Sequence, residues 1–516
     1  MVISSRERSS IDVDEYARRV IAYSKSSHEV ARRAAIDRRM KILRDAWGPI
    51  LKAALENWLR PEIQDLVMGE NRDQLDLSRN PAKHIWNEHS ILYKLPPERV
   101  TPDSEGDIEK YKKLLKGTKF NRFWKIVELL LNSCNDVVIW PDVISVNGGK
   151  KIIRHRVEAG NTITAIPMAE DRSIIECYLH TYEYTDLFEG QKTKYVLWTN
   201  QWHALYEEDD SGEIKRAGYV DPELYPYDND SANPYGEMPH VHIRLIDWPD
   251  GPWDITTNED LVDLTIHGGK ERAFYRYLQK VSGFKQGVFT GNLDKLEQFI
   301  LDPGFSVKAE GDDVKFTIVD WTIPLRDRLQ CMMDDELSAA AAHGINPQRY
   351  KRTGDYQTSS SAKTAERGLG EIRERNIPIL SDAEQEYKRK MCIVALKHGF
   401  TDVPSPDIPL EVTYRPIEFP EDPLSQAELD KRSISMGILS QLDLVRRNHP
   451  EWSDDKCKDF LIKTMEIISW IAEEKVKRNV ADDPTVQSLT AQENGKMGPI
   501  VRDNSQPDRD RQNKSR

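Results

Sequence analysis

Apolar positions from Asn258 onward fall at Leu261, Leu264, Phe274, Tyr275, Leu278 and Val281, with Lys270, Arg272, Arg276 and Lys280 interspersed. That spacing predicts an amphipathic helix of about 22 residues, roughly 33 Å long. It stops at Ser282 and Gly283. Val288 to Thr290 then reads as a short strand, Leu293 to Leu301 as a small helix, and the alternation Val314, Phe316, Ile318, Trp321 as a second strand. Pro324 suits the first turn of another helix, because its missing N–H is not needed there. The stripe Leu325, Leu329, Met332, Leu337, Ala340 can face the first helix, and Gly344 supplies a C-cap. The chain from 257 to 344 therefore predicts a stalk, two helices joined by a small β-rich tip. Beyond it, 345–361 has no period, carries Arg349, Lys351 and Arg352, and ends in serines able to cap a helix at Ala362.

On either side of this excursion the period changes. Residues 1–66 are helical in pattern, broken at Gly48-Pro49 and Pro61. Their run Arg32, Arg33, Arg38, Arg39 reads as a solvated helix face rather than a nucleic-acid contact. From Val137 to about Trp248 the period is two, predicting an antiparallel meander with strands at Val137–Ile139, Lys151–Val157, Ile174–Tyr184, Lys194–Thr199, Trp202–Glu207, Glu213–Ala217 and His240–Ile246. After the basic loop a helix runs from Ala362 to Asn376 and is interrupted by Pro378. Ser381 and Glu384 then form a capping box that opens a helix running to Gly399. Leu410 to Tyr414 is a strand. Ser425 to about Val480 holds three helical segments broken near Gly437 and Pro450, and the polar tail from Ala481 is expected to be disordered.

A chain of 516 residues predicts two to four folding units with ample core. Five scattered cysteines, Cys134, Cys177, Cys331, Cys392 and Cys457, form no C-x-x-C pair, which argues for a reducing compartment and against a disulfide framework or zinc ribbon. The most apolar run, Ile126 to Leu131, is far too short to span a bilayer, and the N-terminus lacks a signal-peptide core, so a soluble protein with no membrane partner is expected. The formal net charge of −13 is opposite to that of a protein gripping a duplex through counterion release. It suits a surface past which DNA moves without sticking.

Catalytic chemistry finds no foothold. Gly148-Gly149-Lys150-Lys151 lacks the leading glycine and the Ser or Thr of a P-loop, and neither G-x-S-x-G nor H-E-x-x-H occurs. His240-x-His242 is the one metal-like pair. With Val241, Ile243 and Leu245 on the opposite face, the two histidines and Arg244 read as the solvated side of an amphipathic strand, and no third ligand is placed. No enzyme activity and no cofactor or metal are expected, although a cytoplasmic metal-dependent hydrolase using His240 and His242 is the alternative from a different class. Arg349, Lys351 and Arg352 could belong to an ordinary surface loop; a ring of such loops would instead gather weak phosphate contacts around one axis.

Three stretches taken in order resemble portal proteins of tailed double-stranded DNA bacteriophages. They are Asn80-Pro-Ala-Lys-His-Ile-Trp-Asn with Leu95-Pro96-Pro97; Asn233-Pro-Tyr-Gly-Glu-Met-Pro-His240; and the helix, tip, helix and loop order of 257–361 continuing into Ser361-Ala-Lys-Thr-Ala-Glu. Phe419-Pro-Glu-Asp-Pro423 and the Gly437 region extend the likeness over most of 70–470, while 1–66 match poorly.

The resemblance implies an α+β, portal-like fold, with a helical stem, a small α/β clip, a mixed α/β wing with antiparallel strands and a helical C-terminal crown. Carried onto this chain, the wing is 1–256, the stem 257–281 and 324–344, the clip 282–323, the tunnel loop 345–361, a wing return with a kinked helix 362–424, the crown 425–480 and a disordered tail 481–516. It implies a homo-oligomer, commonly a dodecamer, at one capsid vertex of the virion, assembled in the host cytoplasm. Double-stranded DNA would be packaged and ejected through it, held weakly by Arg349, Lys351 and Arg352. Its partners would be the terminase large subunit, a head-tail adaptor, and the major capsid and scaffolding proteins. Another virion ring, such as an adaptor, is the nearer alternative.

Overall fold

The computed structural model describes residues 12–69, 75–101, 105–146, 150–168, 170–186, 190–209, 211–217, 232–248, 251–282, 286–290, 295–296, 309–310, 315–319, 325–347, 350, 367–415, 423–449 and 452–477. They belong to two compact units, Met1–Phe419 and Pro420–Arg516.

The first unit begins with helices α1 (Val13–Ser24), α2 (Ser27–Leu43), α3 (Gly48–Trp58), α4 (Pro61–Met68) and α5 (Pro81–His89). Their starts follow local chemistry. Ser26 caps α2 by accepting from the Glu29 N–H, Pro49 and Pro61 occupy first turns, and the Asn80 side chain accepts from the Lys83 N–H at 3.0 Å to cap α5. Strand β1 (Glu98–Val100) and helices α6 (Glu105–Leu115) and α7 (Phe120–Cys134) follow. Asn135, at φ 69°, then turns the chain directly into β2 (Asp136–Val146).

Two antiparallel sheets make the centre. β2 pairs with β3 (Lys150–Ala159) on one edge and β9 (Val241–Arg244) on the other. The second sheet runs β4 (Ile163–Pro167), β5 (Ile175–Asp186), β6 (Gly190–Thr199), β7 (His203–Glu208), β8 (Ile214–Arg216) in chain order. Period-two alternation sorts their side chains into three cores. Val137, Ile139, Val241 and Ile243 face the helical core, while Val138 and Trp140 face Ile163, Ala165, Tyr178 and Trp198 of the second sheet. On that sheet's far face, Cys177, Leu179 and Leu197 meet Tyr16, Ala17, Val20 and Ile21 of α1. The layers are thus helix, sheet, sheet, helices, an α+β architecture with antiparallel strands.

The chain then forms α8 (Glu259–Ser282), a β tip in which β10 (Gln286–Thr290) pairs with β13 (Lys315–Val319) and β11 (Lys295–Leu296) with β12 (Ala309–Glu310), and α9 (Leu325–Ala342). Helix α10 (Arg367–Lys397) returns to the sandwich, and β14 (Glu411–Thr413) pairs antiparallel with β1. The second unit holds α11 (Pro423–Ser435), α12 (Gln441–Asn448), opened by a Ser440/Asp443 capping box, and α13 (Asp454–Lys477).

Several expectations are corrected. Residues 295–296, inside the helix expected at 293–301, form strand β11. β4 was not expected; its Ile163-Thr-Ala-Ile-Pro167 is buried on both faces and shows no alternation. Helix α10 passes unbroken through Pro378. The missing N–H and ring clash disfavour this locally, but the buried row Asn376, Leu380, Glu384, Tyr387 and Met391 holds the helix to the body. Ser381 and Glu384 therefore cap nothing. Glu384 is buried mid-helix, accepting from the Tyr93 hydroxyl at 2.8 Å and from Arg99. Arg32 and Arg39 are not solvated: Arg32 bridges Glu29 and the carbonyls of Gly160 and Ile163, and Arg39 bonds Glu259 and the Ile255 carbonyl.

Candidate functional site

Helices α8 and α9 pack antiparallel, since Asp260 meets His343 at 2.7 Å while Glu271 meets Arg328 at 3.2 Å. The root of this hairpin is locked into the body. Arg38 and Arg39 of α2 both pair with Glu259 at the start of α8. Gly269 of α8 lies so close to Trp47 and Leu51 that a Cβ there would come within 2.9 Å of each. Thr265 accepts from the Ala82 N–H at 3.2 Å, satisfying one of the donors that α5 leaves open at its N-terminus.

The far end of α9 is closed by a turn that only glycine fits. Gly344 has φ +71°, and the Ile345 N–H reaches back to the Ala340 carbonyl at 2.8 Å, ending the helix. Gly368 of α10 packs against it, and a Cβ on Gly368 would sit 2.4 Å from the Gly344 oxygen. The segment after Gly344 then leaves from a rigid point, with Ile345 buried.

Beside this exit lies a groove of about 640 Å³ whose lining includes Asp45, Arg79, Lys83, His84, Glu336 and Tyr350. Arg272 reaches across from α8 to Glu336 at 3.4 Å and donates to the Arg79 carbonyl at 2.8 Å. Tyr350 donates to Glu336 at 3.4 Å and its ring lies tilted against His84, with ring centroids 4.8 Å apart. Burial, with the adjacent Glu336 carboxylate, raises the Tyr350 phenol. His89, on α5, contacts the His343 carbonyl at 2.9 Å, and burial lowers its pKa to about 4. Each cation of the groove has a carboxylate near it: Lys83 pairs with Asp45, and Arg79 lies 3.7 Å from Glu336. Such a balanced surface offers no strong phosphate grip. Of the expected tunnel residues, Arg349, Lys351 and Arg352 lie outside the described residues; their neighbour Tyr350 is placed in the groove.

The histidine pair of β9 has a different fate from the solvated face expected of it. His240 and the His242 side chain are each 6% exposed. The second sheet covers that side of the strand, so both faces are buried. His240 Nε2 lies 2.9 Å from His180 Nε2, and His180 Nδ1 lies 3.3 Å from Glu158. The network is satisfied when His180 donates to Glu158 and accepts from His240, leaving His240 Nδ1 bare. Burial, then the neighbouring His180, lowers the His240 pKa well below its ordinary value. His242 is likewise held low by burial, 3.6 Å from Asp136. The two histidines thus take separate partners. Among the described residues no set of three His, Cys, Asp or Glu is grouped to hold a metal ion.

Among the described residues no helix is long and apolar enough to cross a membrane. No protein-family model matches the chain, and no curated protein matches it. Among solved structures, one match is the neck of an empty GTA particle computed with C6 symmetry. It shares 12% identity, covers 75% of this chain and 92% of that one, and has a TM-score of 0.42, too low to establish a common fold.

Proposed function

We propose that this chain is the subunit of a portal-type ring at one capsid vertex of a tailed double-stranded DNA bacteriophage, a non-enzymatic conduit through which DNA is packaged and ejected. One observation carries the reading. An antiparallel hairpin, α8 and α9, bears a small paired-strand tip, is rooted in a layered α+β body through Glu259 and Thr265, and hands the chain at Gly344 to a segment carrying Arg349, Lys351 and Arg352.

In this reading α8 and α9 are the stem and 282–323 is the clip, which docks the terminase large subunit during packaging and the head-tail adaptor afterwards. The segment 345–361 lines the tunnel, α11 to α13 form the crown, and the remaining body is the wing set among the major capsid and scaffolding proteins. A ring of twelve loops multiplies three cations per chain around one axis while each chain keeps its net charge of −13. DNA then slides with many weak contacts and no tight one. The packaging ATPase is a separate protein.

Negative-stain microscopy with mass photometry tests the architecture. A ring with a central hole and a mass near twelve times 59.5 kDa is expected. A monodisperse monomer or dimer that persists with capsid and scaffolding proteins co-expressed would overturn the reading. Replacing Arg349, Lys351 and Arg352 together by Ala should leave rings intact and reduce packaging or DNA retention; loss of the rings themselves would make the segment structural.

A further inference from the structure

Between β1 and the helices α6 and α7 lies a cavity of about 1010 Å³. Five consecutive residues, Pro97 to Thr101, line one side of it. The face of a strand would offer only alternate residues, so it is the edge of β1 that borders the cavity. β14 pairs with the opposite edge, and among the described residues no strand takes this one. An edge left in this way presents main-chain N–H and C=O groups to an extended segment.

The other walls are basic. Lys112, Lys116, Lys119 and Arg122 line them, and Glu98 is the one carboxylate in the lining among the described residues. Lys112 pairs with Glu109 at 2.9 Å. Lys116, Lys119 and Arg122 are exposed and have no carboxylate partner among the described residues. At the floor two donors are unspent. The Arg99 guanidinium gives Nε to Glu384 and Nη1 to the Asn121 side-chain oxygen at 2.8 Å, which leaves Nη2 buried without a partner. Tyr111 is 1% exposed, and its hydroxyl has no partner either. Native proteins leave few buried donors unsatisfied, and a guanidinium nitrogen and a hydroxyl are both donors from which a carboxylate accepts.

We infer that this cavity docks an extended acidic segment of a partner protein. The segment lies along β1 as a third strand, with carboxylates turned to Lys116, Lys119 and Arg122 and one of them drawn towards Arg99 and Tyr111. Ile108, Tyr111, Lys112 and Leu115 recur at i, i+3, i+4 and i+7, so α6 turns one mixed apolar and basic face to the cavity. That face suits apolar residues alternating with acidic ones. A phosphodiester chain would meet the same cations, but it has no row of amides to pair with the β1 edge, and the net charge of −13 repels it. The inference goes beyond the ring reading and does not depend on it.

Fluorescence anisotropy on the full-length protein tests it, with a labelled peptide of alternating Val and Glu as the probe. Saturable binding is expected. N-methylation of alternate residues should weaken it at least tenfold in one phase and little in the other, because only one edge of an added strand faces β1. Lys116→Glu, Lys119→Glu and Arg122→Glu together should also weaken it at least tenfold; all three side chains are exposed, so the fold survives the change. Tyr111→Phe should weaken binding several-fold and leave the unfolding midpoint unchanged, since its hydroxyl has no partner to lose. No saturable binding at millimolar peptide would overturn the inference. So would equal binding of both methylated peptides, or of an oligothymidylate of the same charge, because either marks a merely electrostatic patch.

Discussion

Within the five-stranded sheet Cys177, Leu179 and Leu197 have no exposed surface at all, whereas in α13 Met465 is 59% and Trp470 62% exposed. The same contrast holds for charge. The body buries Glu384, Glu128, Arg39 and Lys388 and gives each hydrogen-bonding partners, as Lys388 shows by donating to the carbonyls of Ser405, Pro406 and Ile408. Charged groups of the second unit pair in the open, as Arg446 does with Asp454. One region completes its own core, and burying a polar group there requires a bond in compensation. The other leaves large apolar side chains of α13 exposed among the described residues.

The contrast can be broken from either side. The largest effect is expected from Arg99→Leu, which leaves the Glu384 carboxylate buried with its guanidinium partner gone. Loss of one member of a buried pair costs about 3–5 kcal/mol, so denaturant unfolding of the first unit should shift by that amount. A shift below about 1 kcal/mol would show that water reaches Glu384.

Next comes pH. Glu128 is buried, and although it accepts from the Leu92 and Tyr93 N–H groups, burial raises its pKa to about 7. An acid with a raised folded pKa holds its proton longer in the native state than in the unfolded one. Stability should therefore fall as pH rises from its ordinary value of 4.5 towards 7, by on the order of 3 kcal/mol. Glu128→Gln should flatten that slope; an unchanged slope assigns it to other groups.

Gly368→Ala should cost about 1–3 kcal/mol by overpacking, because its Cβ would meet the Gly344 backbone rather than a movable side chain. Faster proteolysis after Gly344 would accompany it, and an unaltered digestion pattern would argue against that contact. The smallest effect is expected in α13. Ile468→Lys should change stability by no more than about 0.5 kcal/mol, because that side chain is half exposed. A loss of more than about 2 kcal/mol would mean that the helix is covered within its own chain.

Much of this was legible in the residues. The hairpin helices, the glycine stop at 344, the strands around 137–216 and the three C-terminal helices follow from spacing that can be counted along the chain. The candidate site was legible only in part. Gly344 announced where the hairpin ends, but the groove beside it draws Asp45, Arg79, Lys83, Glu336 and Tyr350 from four separate stretches, and no local pattern brings them together. Arg32 and Arg39 were the plainest misreading, since arginines on a helix read as solvated until the carbonyls and carboxylates that meet them are known.

The sequence by itself determined the kind of each element, because period, turn residues and caps act within a few neighbours. Tertiary structure alone decided which faces are dry. His240 and His242 became buried because a second sheet lies over β9. Pro378 stayed inside a helix because a row of buried side chains holds α10 in place. In both cases the deciding energy is surface removed from water between segments far apart in the chain, a quantity that no local pattern contains.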